Sequence, residues 1–266
     1  MQMEPVEGAR NFQTTGKAYD AFMGRYSRPL AQSFADAARI EAGMSALDVG
    51  CGPGALTGVL IDRLGVDSVS AIDPSPPFVA DCSRRHVGVD VREGRAEAIP
   101  FADGSFDRSL AQLVMHFVSD PSAAATEMRR VVRPGGAVAA CVWDFEVEME
   151  MLRAFWDAAR AVDPHAPDEA RTLRFGAPGE IAELFAGAGI ADIVERRLTV
   201  ESTYADFDEL WDGFLAGIGP AGAFCVGLDD THREVLRREI FDRIGAPSGT
   251  FTLSAAALSA TGSVPG

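Results

Sequence analysis

Between Ser45 and Trp143, short apolar runs alternate with segments whose apolar residues recur every three or four positions. SALDVG, SVSAID, VDVREG, SFDRSLAQLV and GGAVAACVW read as strands, while GALTGVLIDRLG, PPFVADCSRR and PSAAATEMRRVV read as helices. Strands joined by crossover helices call for a parallel sheet with helices on its faces, so the rhythm predicts an α/β sandwich. Upstream, Phe22, Tyr26, Leu30, Phe34 and Ala37 stand at helical spacing and predict one or two helices between Tyr19 and Ile40. Residues 1–16 are polar and contain glycine, which predicts a mobile arm.

Past Trp143 the rhythm changes. VEMEMLRAFWDAARAV is an amphipathic helix, and the following DPHAPDEAR has the composition of a surface loop, so this insertion is the expected lid. PGEIAELFAGA then reads as a helix with Pro at its start and Gly189 past its end. DIVERRLTVES reads as a strand, FDELWDGFLAGI and DDTHREVLRREIFDRI as helices, and TFTLSAAALSATGSV as a final strand.

Length and charge narrow the picture. A chain of 266 residues supports one core with a small lid. With 39 acidic against 24 basic side chains, the net charge of −15 repels a phosphate backbone and argues against a nucleic-acid partner. Cys51, Cys82, Cys141 and Cys225 lie far apart and form no zinc-ligand spacing, so they read as reduced, buried thiols. No basic start with an apolar run and no stretch of 18 apolar residues occurs, which gives a cytoplasmic expectation with no membrane partner.

The most informative segment is LDVGCGPGALT, residues 47–57, where an apolar strand runs into Gly50, Gly52 and Gly54 ahead of a helix. Glycines there permit positive φ and let a ligand touch the backbone. Gly50, Gly52 and Ala55 also satisfy the dinucleotide pattern, so the neighbours must decide. Asp48 sits at the strand's carboxyl end, where its carboxylate is expected to reach the ligand, disfavouring a pyrophosphate and suiting an ammonium and a sulfonium. Pro53 removes one N–H that would have cradled phosphate. Asp73 ends the next strand, AIDPS, where an acid accepts both hydroxyls of a ribose.

LDVGCGPGALT followed by AIDPS resembles motifs I and II of class I S-adenosylmethionine-dependent methyltransferases. GRAEAIPFADGSFDRSLAQLVMHF and the PGG at Pro134–Gly136 are similar to the small-molecule branch that includes the quinone-pathway methyltransferases. The resemblance covers about residues 18–145 and implies S-adenosyl-L-methionine as cofactor, with Asp48, Gly50, Cys51 and Gly52 along its methionine half and Asp73 on the ribose. It also implies Ala96 and Glu97 beside the adenine and Gln112 under the methionine carbons or carboxylate. This branch usually has Asp where Arg95 stands; arginine has no acceptor, so Glu97 or a backbone carbonyl must serve the adenine amino group. YDAFMGRYSRPLA looks like the segment that closes over the cofactor, with Tyr19 covering the methionine end and Arg25 or Arg28 pairing with its carboxylate, or else with solvated arginines on an amphipathic helix.

Displacement at a sulfonium requires alignment and exclusion of water more than dedicated catalytic groups. Where the acceptor must lose a proton, His116 in QLVMHF stands at the sheet edge that binds ligands, and is the candidate base; the alternative is a histidine bonded to backbone at the start of a loop. His86, His165 and His232 lie in surface contexts, His165 within the lid loop. Trp143 and Asp144 end the fifth strand, where they wall the acceptor site or simply pack and cap. The aromatics Phe155, Trp156, Phe185, Phe207, Trp211, Phe214 and Phe224 read chiefly as core, and the acidic clusters propose no metal.

The expected fold is therefore a doubly wound, mostly parallel seven-stranded Rossmann-like sheet with its last strand antiparallel, plus N-terminal helices and a helical lid. It forms one domain: an arm (1–16), a cofactor-binding core (17–145), and residues 146–266 carrying the remaining sheet and the acceptor-site insertions. The expected activity is methyl transfer to O, N or C of a small apolar or aromatic metabolite, and a homodimer is compatible with it. The rival readings are a non-catalytic S-adenosylmethionine-binding module and an NAD-dependent oxidoreductase.

Overall fold

The computed structural model describes Asp20–Gly266, so the expected arm and Tyr19 lie outside the described residues. Seven strands form one sheet in the order β3-β2-β1-β4-β5-β7-β6. They are β1 (Ala46–Val49), β2 (Val69–Asp73), β3 (Asp90–Glu93), β4 (Phe106–Gln112), β5 (Val132–Trp143), β6 (Ala191–Tyr204) and β7 (Phe251–Ser263). β7 runs antiparallel between β5 and β6, and β1–β5 pair in parallel, as the alternation of strands and helices requires.

β1 is buried along its whole length, which suits an apolar central strand covered on both faces. Its alternate residues divide the core: Ala46 joins the cluster on one face, and Leu47 and Val49 the cluster on the other. The first face carries α1 (Arg25–Ala37) and α2 (Ala55–Leu64), together with α5 (Glu150–Val162), α8 (Phe207–Leu215), α9 (Gly219–Gly227) and α10 (Asp230–Arg243). The second carries α4 (Pro121–Arg130) and α7 (Glu180–Gly187). α3 (Pro76–Arg85) follows β2, and a single turn, α6 (Glu169–Thr172), follows α5.

Two elements differ from the sequence expectation. The expected lid is a packed layer: α5 buries Leu152, Phe155, Trp156, Ala158 and Ala159 against α10 and β7. The loop after it is anchored as well, because the Arg153 guanidinium forks onto the Asp168 carboxylate at 2.7 and 3.2 Å and the Trp156 Nε1–H donates to Glu169 Oε2 at 2.8 Å. Its composition read as surface, yet Asp168 and Glu169 are buried, satisfied by partners fifteen and thirteen residues upstream. The second difference is α9, hidden in the sequence by Gly219, Gly222 and Gly227. A Cβ on Gly222 would lie 2.7 Å from the Gly217 carbonyl carbon, so close packing of the preceding turn demands glycine there despite its low helix propensity.

Candidate functional site

The strand order reverses between β1 and β4, and in an open α/β sheet the crevice beyond the carboxyl ends at that point is the natural ligand site. The glycine turn occupies it. Gly50, Gly52 and Gly54 have φ of +71°, +52° and +93°, a left-handed backbone that favours glycine at every second position. Their side-chain demands differ. A Cβ on Gly50 would lie 2.5 Å from Val114, and one on Gly54 2.6 Å from the His86 ring, whereas a Cβ on Gly52 would meet no atom within 4 Å. Gly50 and Gly54 are thus closed in by protein, and Gly52 is the turn's open side.

The turn is tied to β2. Gly50 and Cys51 donate their N–H groups to the Ile72 carbonyl at 2.8 and 2.9 Å, and Gly52 donates to Asp73 Oδ2 at 2.8 Å. Asp73 Oδ1 accepts from the Ser75 N–H at 2.8 Å, leaving further lone pairs on each oxygen. Burial pushes its carboxyl up to about 6 against those two backbone donors, which favour the charged form.

Asp48 stands near the carboxyl end of β1, as expected, but its carboxylate is taken up within the protein. Its carboxylate lies beneath the turn, 1% exposed, and accepts from the Thr57 hydroxyl at 2.6 Å in the first turn of α2. Burial pushes it up to about 7, with Thr57 working the other way and the Asp73 charge adding to the rise. In this geometry Asp48 shapes the turn and does not present its carboxylate to the crevice, so the argument against a pyrophosphate from its charge loses its direct contact. Cys51 is buried with Cys82 and Ala71 behind the turn, and all four cysteines are free.

Gln112 ends β4, and its Nε2–H donates to the Ser27 carbonyl of α1 at 2.9 Å, while its Oε1 is buried with no partner. Ser27 Oγ is likewise buried and unpartnered. These orphaned atoms, the open side of Gly52 and the Asp73 carboxylate fit an adenosyl amino acid: a lone acceptor for an ammonium, a backbone free of side chain, and an acid for ribose hydroxyls.

The remaining expected residues differ in what holds them. Ala96 is buried after β3. Glu97 has a task in the protein itself: its Oε1 accepts from the Ser119 and Asp120 N–H groups ahead of α4 and from Arg95. Arg25 is committed elsewhere, bonded to Glu209 at 2.8 Å and the Thr203 carbonyl at 3.2 Å with its guanidinium over the Tyr204 ring. Arg28 stands on the exposed side of α1. His86, read as a surface residue, packs against the turn with Nε2 2.9 Å from the Gly54 carbonyl. His165 and His232 are exposed, and Asp144 is held by Arg197 and by the Val147 N–H.

Beside the turn, the ends of β4 and β5 open into an apolar pocket. Leu113, the residue before Val114, has φ +62° and turns the chain sharply from Gln112 into it. Its walls include Phe22, Leu113, Phe117, Trp143, Phe145 and Leu152, with Ile218–Ala221 from the start of α9, and surround a cavity of about 40 Å³ that opens to solvent. The aromatics of α5, α8 and α9 pack in the core, as their spacing predicted, with Phe155 stacked on Phe214 at 4.5 Å. Two titratable side chains line the pocket, His116 and Glu169, and the Trp143 indole Nε1–H is buried there with no hydrogen-bond partner among the described residues.

His116 is 5% exposed, on the turn after β4. Its Nδ1 lies 2.5 Å from the Arg174 carbonyl. A carbonyl only accepts, so Nδ1 carries the proton and Nε2 keeps its lone pair, with no hydrogen-bond partner among the described residues. Burial pushes the imidazolium down to about 4 against the carbonyls of Arg174 and Trp143, so the ring is neutral at pH 7. Burial likewise pushes the Glu169 carboxyl up to about 7. Glu169 and Ile218–Ala221 have no signal in the sequence because they come from segments that meet only on folding and carry no motif, whereas Phe22 belongs to the YDAFMGRYSRPLA segment. Among the described residues no group of three or more metal-ligating side chains occurs, and no single helix is long and apolar enough to cross a membrane.

Comparison with known proteins places these features. A family model described as a methyltransferase domain matches residues 47–140. A malonyl-[acyl-carrier protein] O-methyltransferase of Dechloromonas aromatica is 31% identical over 87% of this chain and 82% of its own. One of the same name from Erwinia billingiae is 33% identical over 49% of this chain. The chain spans about half the length of the first relatives it matches, 46% and 51%. In fold it is similar to a Haemonchus contortus phosphoethanolamine N-methyltransferase 2 solved with S-adenosylhomocysteine, at a TM-score of 0.61, 15% identity and coverage of 99% of this chain and 61% of that one.

Proposed function

The chain belongs to the class I S-adenosylmethionine-dependent methyltransferase family, and from that premise we propose that it transfers the methyl group of S-adenosylmethionine to a small apolar or aromatic acceptor. The observation that carries the reading is the left-handed turn whose open side, Gly52, is hydrogen-bonded to Asp73 at the carboxyl end of β2. Bound there, S-adenosylmethionine supplies a methyl carbon on a sulfonium.

The protein's own part is positional. Asp73 accepts the ribose hydroxyls with the lone pairs its two backbone donors leave free, and Gln112 Oε1 accepts from the amino group. The aromatic walls keep water from the acceptor, so the rate comes largely from holding it in line. His116 takes the acceptor's proton on Nε2, and its Nδ1–H bond to Arg174 steadies the charge the ring then carries. Four free, buried cysteines support a reducing, cytoplasmic setting.

Asp73→Ala tests the reading. Removing the ribose acceptor is expected to weaken S-adenosylhomocysteine binding by more than tenfold in equilibrium dialysis, with the fold checked by circular dichroism. An affinity within twofold of wild type means the crevice holds something other than an adenosine ligand. The same loss for NAD, with no binding of S-adenosylhomocysteine, favours the oxidoreductase reading.

A further inference from the structure

The pocket has a chemistry of its own. Among the described residues, none that lines it is Arg or Lys, and its one histidine is held neutral by burial. The polar side-chain atoms of its lining left uncommitted within the protein are the His116 Nε2 acceptor, the Glu169 oxygen not used by Trp156, and the uncharged Trp143 Nε1–H donor. Neutral imidazole nitrogen and carboxylate oxygen both accept hydrogen bonds, and neither can balance a second negative charge.

Glu169 is also firmly set. Its Oε2 is fixed by the Trp156 indole, and the adjoining Asp168 is clamped by Arg153 while capping the turn that carries Glu169. With the segment anchored at both residues, the acid cannot swing out to solvent when a ligand enters. An anion in this pocket would lose its hydration and gain no cation.

We propose that the methyl acceptor is a neutral hydroxyl on an apolar, preferably aromatic, body, and that Glu169 excludes carboxylate acceptors. The inference rests on the methyl-transfer reading and sharpens it: relatives named for the malonyl group of an acyl-carrier protein share the sequence, and this pocket selects a different class. The hydroxyl donates to His116 Nε2, which points an oxygen lone pair away from the histidine for attack. That oxygen forms the bond to the methyl carbon, and the carbon–sulfur bond breaks with its electron pair left on sulfur. The hydroxyl proton passes to His116 Nε2 and then to water. A hydroxyl oxygen becomes strongly acidic as it is alkylated, so the weak base that His116 has become by burial is sufficient. An ammonium would be drawn to Glu169 but has no lone pair to offer.

The test is a pair of calorimetric titrations at pH 8 into protein saturated with S-adenosylhomocysteine, using 1-naphthol and 1-naphthoate. The expected order is 1-naphthol tighter and 1-naphthoate at least tenfold weaker. In Glu169→Gln, which keeps an oxygen for Trp156, the naphthoate gap narrows to less than threefold while the affinity for S-adenosylhomocysteine is unchanged. Naphthoate binding within threefold of naphthol in the wild type, or no binding of naphthol, overturns the proposal. The saturating titration reads the other claim separately: no binding of S-adenosylhomocysteine refutes methyl transfer itself, whereas its binding with the acceptor order reversed refutes only the acceptor class.

Discussion

The three glycines of the turn look alike in sequence, and the structure predicts that two of them fail for different reasons. Gly52→Ala adds a methyl group that meets no protein atom, at a φ of +52°. Its folding cost is the left-handed penalty alone, about 1 kcal/mol, which lowers Tm by roughly 2–4 °C in a chain of this size. The methyl group fills the open side of the turn, so S-adenosylhomocysteine affinity falls at least tenfold, about 1.4 kcal/mol. Gly50→Ala carries the same penalty and drives a Cβ to within 2.5 Å of Val114. Overpacking adds about 1–3 kcal/mol, for a total of roughly 2–4 kcal/mol. Val114→Ala in the same chain relieves the collision, and the double variant is more stable than the sum of the singles. Thermal denaturation and calorimetry on the four variants separate the effects. If Gly52→Ala keeps wild-type affinity, no ligand approaches the turn there, and the placement of the cofactor is wrong.

Other expectations follow from the buried charges. His116→Asn keeps a donor for the Arg174 carbonyl but loses the base, so turnover falls by about 10²-fold or more while S-adenosylhomocysteine affinity stays within twofold; unchanged turnover removes His116 as the base. Because burial holds His116 at about 4, wild-type turnover shows no loss from this group between pH 8 and 6 and declines only as pH approaches 4; a midpoint near 6.5 contradicts the burial. Asp48 is raised to about 7 in the fold from 3.8, so the stability it contributes below pH 4 is lost as pH rises to 7. Asp48→Asn, whose amide oxygen still accepts from Thr57, is therefore expected to gain stability over wild type as pH rises from 5 to 8, by a difference on the order of 3 kcal/mol followed by urea denaturation; parallel pH curves for the two proteins would show that Asp48 does not titrate as buried. Arg153→Leu leaves the 3%-exposed Asp168 only the Arg160 guanidinium, 3.9 Å away, and the Ala170 N–H, and is expected to cost about 2–3 kcal/mol by urea denaturation; a loss under 1 kcal/mol would show the clamp to be solvated.

The sheet was legible because parallel strands, buried on both faces, leave unbroken apolar runs such as AVAACV, and crossover helices leave a period of three to four. The glycine turn was legible for a related reason: a left-handed backbone restricts residue type, and Asp73 lies at a strand end. The acceptor pocket was not. Leu113, Phe145, Glu169 and Ile218 lie on four connections, and nothing in the sequence marks that they converge. The anchored loop misled for a physical reason, since Asp168 and Glu169 look solvated until Arg153 and Trp156 are seen to satisfy them. Asp48 misled similarly: its place at the end of β1 was foreseeable, but its hydrogen bond to Thr57 depends on how α2 leaves the turn.

The central claim is that the crevice beyond β1 and β2 holds an adenosyl amino acid. Calorimetric titration of the purified protein with S-adenosylmethionine, S-adenosylhomocysteine and NAD, one at a time, tests it most directly. Micromolar binding of the first two with no heat from NAD is the predicted result, and binding of NAD alone would contradict it.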